Sequence, residues 1–398
     1  MSKHISNRVQ NLSESQTIAM AAKSRELRAQ GIDIISLSLG EPDFDTPDFI
    51  KEAAIDAIKN NYTHYPPVPG YPEVREAIAK KFKRDNNLDY GPENILISTG
   101  AKQSLMNVVL SLVNPGEEIL LPAPYWVSYQ AMAEVAEAKA VIIPTTIDSD
   151  FKITPAQLEA HINANTRLMI FSSPCNPSGS VYTMEELEAL AEVAAKKDDF
   201  YIISDEIYEL INFSGNHASL GTIDKIKDRV ITVNGVAKGF AMTGWRLGYI
   251  GAPEWIVKAA SKIQGQFTSG ANTIAQMAAK AAVEADPSVT KDMLNTFLKR
   301  RDLILSELGK INGMKLNVPQ GAFYVFPNIS SFFGKSAGNY NINSASDVSM
   351  YLLDEAKVAT VTGEAFGNPN CIRLSYATSD EILIEAAHRI KTALDKLS

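Results

Sequence analysis

The chain has only two cysteines, Cys175 and Cys371, among 398 residues. That is too few for a disulfide framework and points to a reducing compartment. Its five histidines, His4, His64, His161, His217 and His388, are scattered, and neither an HExxH nor a paired CxxC occurs. A zinc site therefore has no support, and no metal is expected. No apolar run approaches the roughly 18 residues of a membrane span, and the opening MSKHISNRVQNLSESQ lacks the apolar core of a signal peptide. A soluble cytoplasmic protein with no membrane partner is expected. Basic charge is also short: 38 Lys and Arg against 46 Asp and Glu leave a net −8, which offers no surface for a phosphodiester backbone. Nucleic acid is not an expected partner. Neither internal repeats nor low-complexity tracts are present.

What is there is an ordinary globular balance, 45% hydrophobic and 21% charged, on a chain too long for one core, so two domains are expected. Short β-rich runs alternate with helical periods: NILIST (94–99), EEILLP (117–122), AVIIP (140–144), RLMIFS (167–172), FYIIS (200–204), VITVN (230–234) and LGYIGA (247–252). Between them lie stretches such as TMEELEALAEVAAKK, where Thr183 and Glu186 form a capping-box pattern. In DTPDFIKEAAIDAIKNN, Thr46 is the expected N-cap and Pro47 the first helical residue. This pattern predicts an open α/β layer, mostly parallel, with its strands buried on both faces. Beyond residue 252 the chain turns helical, with a long helix from about 287 to 308. Strands then follow in GAFYVFPNI, VATVTG and CIRLSYA, with a closing helix from Ser379, a pattern that predicts a smaller α+β domain.

In an open α/β sheet, ligands bind beyond the carboxyl ends of the strands. Gly100 and Lys102 follow NILIST, Asn176 follows RLMIFSSPC, Asp205 follows FYIIS, and Lys238 follows VITVNGVA. Each has a plain reading. Asp205 could cap a helix starting EIYEL, Asn176-Pro177-Ser178-Gly179 could be a turn, and Lys238 could be a solvated lysine. Trp126 and Tyr208 could be core aromatics, and Gly100 could serve helix packing, although it also suits an anion at a helix N-terminus. Together they supply an amine, a carboxylate, an anion cradle, aromatic faces and, in Arg246, a guanidinium.

The motifs SLGEPDFDTP, PCNPSG, SDEIYE, NGVAKGFAMTGWRLGY and IRLSYA occur in this order. They resemble those of the fold-type I, class I aminotransferases, which use pyridoxal 5′-phosphate. The likeness runs from about Ser13 to the C-terminal helix. YWVSY and HYPPVPGYPEVREA resemble most the bacterial aspartate aminotransferase branch, subgroup Ib. The resemblance implies a large domain over 45–290, a discontinuous small domain over 13–44 and 291–398, and an arm over 1–12. It assigns the cofactor's carbonyl to Lys238, its ring nitrogen to Asp205, its phenolic oxygen to Tyr208 and Asn176, and its ring face to Trp126. Its phosphate falls to the backbone of Gly100, Ala101 and Lys102 and to Arg246, with Tyr65 reaching across from a second subunit of a homodimer. Several relatives carry a serine three residues before the lysine, where this chain has Gly235. The substrate α-carboxylate falls to Arg373, with Gly40, Trp126 and Asn176 beside it. Lys102, Ser15 and Thr17 match the residues that select a second carboxylate.

The implied activity is ping-pong transamination between an L-amino acid, aspartate being favoured, and a 2-oxo acid, 2-oxoglutarate being favoured. A basic residue before the Ser/Thr pair goes with prephenate use in the subgroup, and Ser13 at that place argues against it. Aromatic or other neutral donors, or a lyase or synthase reaction on the same fold, remain alternatives. A cofactor-sensing regulator is a further one, but it would carry a DNA-binding module ahead of the fold.

Overall fold

The computed structural model describes residues 4–12 and 15–398. All seven predicted runs form strands of one sheet: β1 (Ile95–Ser98), β2 (Glu118–Pro122), β3 (Lys139–Ile143), β4 (Thr166–Ser172), β5 (Tyr201–Asp205), β6 (Val230–Gly235) and β7 (Gly248–Gly251), in the order β1-β7-β6-β5-β4-β2-β3. Every pairing is parallel except those of β7, which runs antiparallel to both neighbours.

The two-residue period of the strands divides their side chains between two apolar layers. Ile119, Leu121, Leu168, Ile170, Ile203, Ile231 and Val233 enter one core, while Leu120, Met169, Phe171, Ile202 and Val230 enter another on the opposite face. Both faces are covered, as a mainly parallel sheet requires. Helices α1 (Gln16–Ala29), α2 (Asp48–Lys59) and α3 (Pro72–Asn86) precede the sheet, and α4 (Ala101–Leu112) follows β1. Farther on come α5 (Met184–Ala194), α6 (Glu254–Phe267), α7 (Thr273–Glu284), α8 (Lys291–Leu308) and α9 (Asp380–Leu394). Thr183 caps α5 with the reciprocal Glu186 contact, and Ser379 caps α9.

A separate core gathers Phe297, Ile304 and Leu308 of α8 and Leu383, Ala386 and Ile390 of α9 around a small antiparallel sheet. That sheet comprises β8 (Tyr324–Val325), β9 (Val361–Thr362) and β10 (Ile372–Ser375), with β10 in the middle. Ile35 and Leu37 pack into the same core, and Ile35–Ser36 pairs in parallel with Val358–Ala359.

Two local expectations are corrected. Thr46 is not an N-cap: α2 starts one residue later, with Pro47 at the cap, and the Thr46 hydroxyl donates instead to the Ala241 carbonyl at 2.8 Å. EIYEL forms no helix but a run of turns, with Glu209 N donating to Glu206 O and Ile211 N to Tyr208 O. Tyr208 is therefore not one helical turn from Asp205.

Candidate active site

The antiparallel β7 lies between β1 and β6, so β1 still points the same way as β4, β5 and β6. The carboxyl ends of all four meet on one edge. There a cavity of about 440 Å³ opens, lined by Ser15, Thr17, Gly40, Ala101, Lys102, Trp126, Asn176, Asp205, Tyr208, Lys238, Arg246 and Arg373. Twelve of the expected site residues are thus brought together. Gly100 stands behind the lining: its φ of 84° is left-handed, and a Cβ there would lie 2.6 Å from Arg246 Nη2. Tyr65 is not among them. It is 96% exposed and far from buried by its own chain. The reading placed on Ser13 lies outside the described residues.

Charge in the cavity is arranged unevenly. Burial pushes the Lys238 amine down to about 8, and the positive Arg373 adds to this. Its Nζ donates to the Gly40 carbonyl. Burial pushes the Asp205 carboxyl up to about 6, against the Tyr129 hydroxyl, which donates to Oδ2 at 2.7 Å, and the Ile207 amide, which donates to Oδ1 at 3.3 Å. Lys102 stands 4.9 Å over the Trp126 ring, its pKa lowered first by burial and then by Arg246.

Arg373 is 2% exposed, yet it donates only to neutral acceptors, the Asn176 side-chain carbonyl at 3.0 Å and the Ser38 carbonyl at 2.6 Å; its Nε has no partner among the described residues. It lies 4.6 Å from the Tyr324 ring and 4.9 Å from the Phe366 ring. Arg246, in the left-handed region at φ 54°, donates to the Thr243 carbonyl at 3.0 Å. Among the described residues neither guanidinium forms an ion pair. A buried cation without a counter-ion is costly, so the cavity is built to receive an anion at Arg373, while Arg246 is exposed and offers its guanidinium to a second one at the cavity's edge.

Sequence reasoning missed five participants. Tyr129 closes the motif YWVSY, and its spacing of three from Trp126 was the available signal. Tyr324 holds the Tyr208 hydroxyl at 2.7 Å within the core that α8 and α9 share, a contact no local pattern announces. Glu41 and Thr243 meet at the cavity's rim, and Ser38 supplies a backbone carbonyl. Gly235 has a steric reason: an added Cβ would sit 3.0 Å from Gly248 Cα and from the Leu247 carbonyl oxygen.

The family model described as aminotransferase class I and II matches residues 32–390. The chain belongs to this family. Over 98% of its length it is 46% identical to the bifunctional aspartate aminotransferase and glutamate/aspartate-prephenate aminotransferase of Petunia hybrida, of which the match covers 82%. The aspartate aminotransferase of Rhizobium meliloti superimposes with a TM-score of 0.96 at 38% identity, with all of both chains covered. That of Thermus thermophilus, solved with maleate, gives 0.91 at 39% identity, covering 98% of this chain and all of that one. This aminotransferase thus has the fold expected, a mostly parallel sheet between helices, and no described helix is long and apolar enough to cross a membrane.

Proposed function

We propose that this aminotransferase transfers the amino group of aspartate to 2-oxoglutarate, using pyridoxal 5′-phosphate bound between Lys238 and Asp205. The observation that carries the reading is the pair of guanidiniums, Arg246 and Arg373, which form no ion pair among the described residues and both act to lower the pKa of the buried Lys238 amine. The residues fit the cofactor. Its phosphate suits the first N–H groups of α4 together with Arg246, with Gly100 leaving the space a Cβ would fill. Its ring suits the slot beside Trp126, with Asn176 and Tyr208 toward the phenolic oxygen and Asp205 toward the nitrogen. When bound, the cofactor supplies an electron sink for the charge left on the amino acid's Cα.

The chain's own groups do the rest. Arg373 grips the α-carboxylate as a fork, and Gly40 closes over it. Lys238, whose amine burial lowers to about 8, removes the proton from Cα and returns it at the other carbon of the reacting system. Because donor and acceptor use one set of groups in turn, the kinetics are ping-pong. Lys102, with Ser15 and Thr17, meets the second carboxylate. The Thr17 hydroxyl is buried without a partner among the described residues, as a group awaiting a ligand would be. Maleate, named with the Thermus thermophilus enzyme, is likewise a four-carbon dicarboxylate.

The reading includes a cytoplasmic homodimer, supported by the exposed aromatic Tyr65. It also includes the division into 45–290, 13–44 with 291–398, and an arm over 1–12, supported by the packing of Ile35 and Leu37 with α8 and α9. Lys238→Ala tests it: turnover falls by several orders of magnitude, since attachment and proton transfer are both lost. Near-normal transamination by that variant would sink the assignment.

A further inference from the structure

We propose that a buried polar network behind the pocket wall holds Asp205 and Tyr208 in place, making His217 and Asn86 positioning residues of the reaction. The inference rests on the roles proposed above for Asp205 and Tyr208.

Each of these two pocket residues is followed by a carboxylate that lies outside the cavity. Asp205 and Tyr208 line it; Glu206 and Glu209 do not, and they are 0% and 8% exposed. The segment is a run of turns and no helix continues from Asp205, so beyond the strand pairing of Asp205 and a few backbone bonds its geometry rests on side-chain contacts. The Glu206 carboxylate accepts from Ser204 Oγ at 3.0 Å, His217 Nε2 at 2.8 Å, Asn86 Nδ2 at 3.2 Å and Ser219 Oγ. The Glu209 carboxylate accepts from the same Asn86 amide and from Lys81. One amide therefore spans both carboxylates, and Lys81 and Asn86 anchor them to α3.

Two buried carboxylates beside one ammonium leave one negative charge in excess, with the Asp85 carboxylate 3.6 Å from Lys81 at the rim. His217 Nε2 meets the Glu206 carboxylate and, when protonated, supplies the second cation. Burial alone lowers its pKa, but the Glu206 carboxylate against it holds it above the ordinary value. The carboxylates and the imidazole lie within 4.8 Å of one another, a spacing that suits a metal, but Lys81, Asn86 and His217 itself already donate to both acids. The carboxylates are thus satisfied internally, while His217 Nδ1 is buried with no partner among the described residues.

Removing one partner from such a network leaves an uncompensated buried charge, and the turn shifts to relieve it. A shift of about 1 Å in a reacting group is enough to cost on the order of a hundredfold in rate. His217 itself reaches neither substrate nor cofactor.

The test uses the holoenzyme with His217→Ala and His217→Gln, and Asp205→Ala beside them. For His217→Ala, kcat falls about tenfold while KM for aspartate stays within about twofold, because Arg373 and Lys102 are untouched. The apoprotein binds pyridoxal phosphate severalfold more weakly by equilibrium titration. His217→Gln recovers part of kcat and affinity, since its Nε2 still donates to Glu206 but carries no charge. A lowered melting temperature with unchanged kcat and cofactor affinity overturns the proposal, as does equal loss in both variants. If His217→Ala does not fold, Glu209→Gln is judged by the same kcat against KM split. Normal turnover by Asp205→Ala would defeat the reading of the site itself; its collapse beside a normal His217→Ala would defeat only the network.

Discussion

The Tyr129 hydroxyl donates to Asp205 Oδ2 at 2.7 Å, from a ring set edge-on to Trp126 at 5.6 Å between centroids. One short segment thus carries both the aromatic wall of the pocket and the donor that steadies its carboxylate. A donor to the ionised form favours it, so this bond opposes the burial that raises Asp205 to about 6. Tyr129→Phe lets the carboxyl rise further and lowers kcat about tenfold, the effect of one hydrogen bond to a charged group. Steady-state kinetics with aspartate checks it, and an unchanged kcat counts against the role.

Lys102→Ala separates the second carboxylate from the rest of the site. The specificity constant for aspartate falls roughly ten- to a hundredfold, from the ~1.5–3 kcal/mol of a charge-assisted contact, while a neutral aromatic donor is spared. Equal loss for both donors would assign Lys102 to the phosphate or the fold.

The depressed Lys238 amine predicts the pH dependence of cofactor capture. Only the neutral amine attacks a carbonyl, and its fraction rises through about pH 8 rather than 10.5. Capture by the apoprotein therefore accelerates about tenfold per pH unit below 8 and levels off above it. Between about 8 and 10.5 the unfolded chain holds a proton at this site that the native state does not, so this group's contribution to stability grows as pH rises across that window. Rapid-mixing absorbance gives the profile, and a midpoint near that of a free lysine would contradict it.

Tyr65 predicts assembly. Its 96% exposure in one chain becomes burial in a two-fold dimer, with each tyrosine serving the neighbour's phosphate. Tyr65→Ala weakens cofactor binding about tenfold while leaving the dimer intact. Sedimentation of an active monomer would refute the arrangement.

The sheet was legible because its strands are apolar on both faces, so each reads as an unbroken β-rich run. Their carboxyl-end residues could be placed once the strands were found, and Gly100, Asn176, Asp205 and Lys238 do share one edge. EIYEL misled because its residues favour helix locally, whereas Glu206 and Glu209 are bonded to His217, Lys81 and Asn86 from distant parts of the chain. Thr46 misled for a related reason: its hydroxyl found a carbonyl 195 residues away in sequence. Tyr324 could not be read at all, since its partner Tyr208 is 116 residues distant.

Gly235 and Gly248 face each other across β6 and β7, and residues 236–247 leave and return between them. Lys238 and Arg246 both belong to this excursion, so the amine and the guanidinium are carried by a single loop with a pinched neck. Neither can be repositioned without the other. For an engineer this stretch is one interchangeable cassette: grafts bounded by the two glycines keep the pair in register, whereas an insertion at one end would detune both groups together.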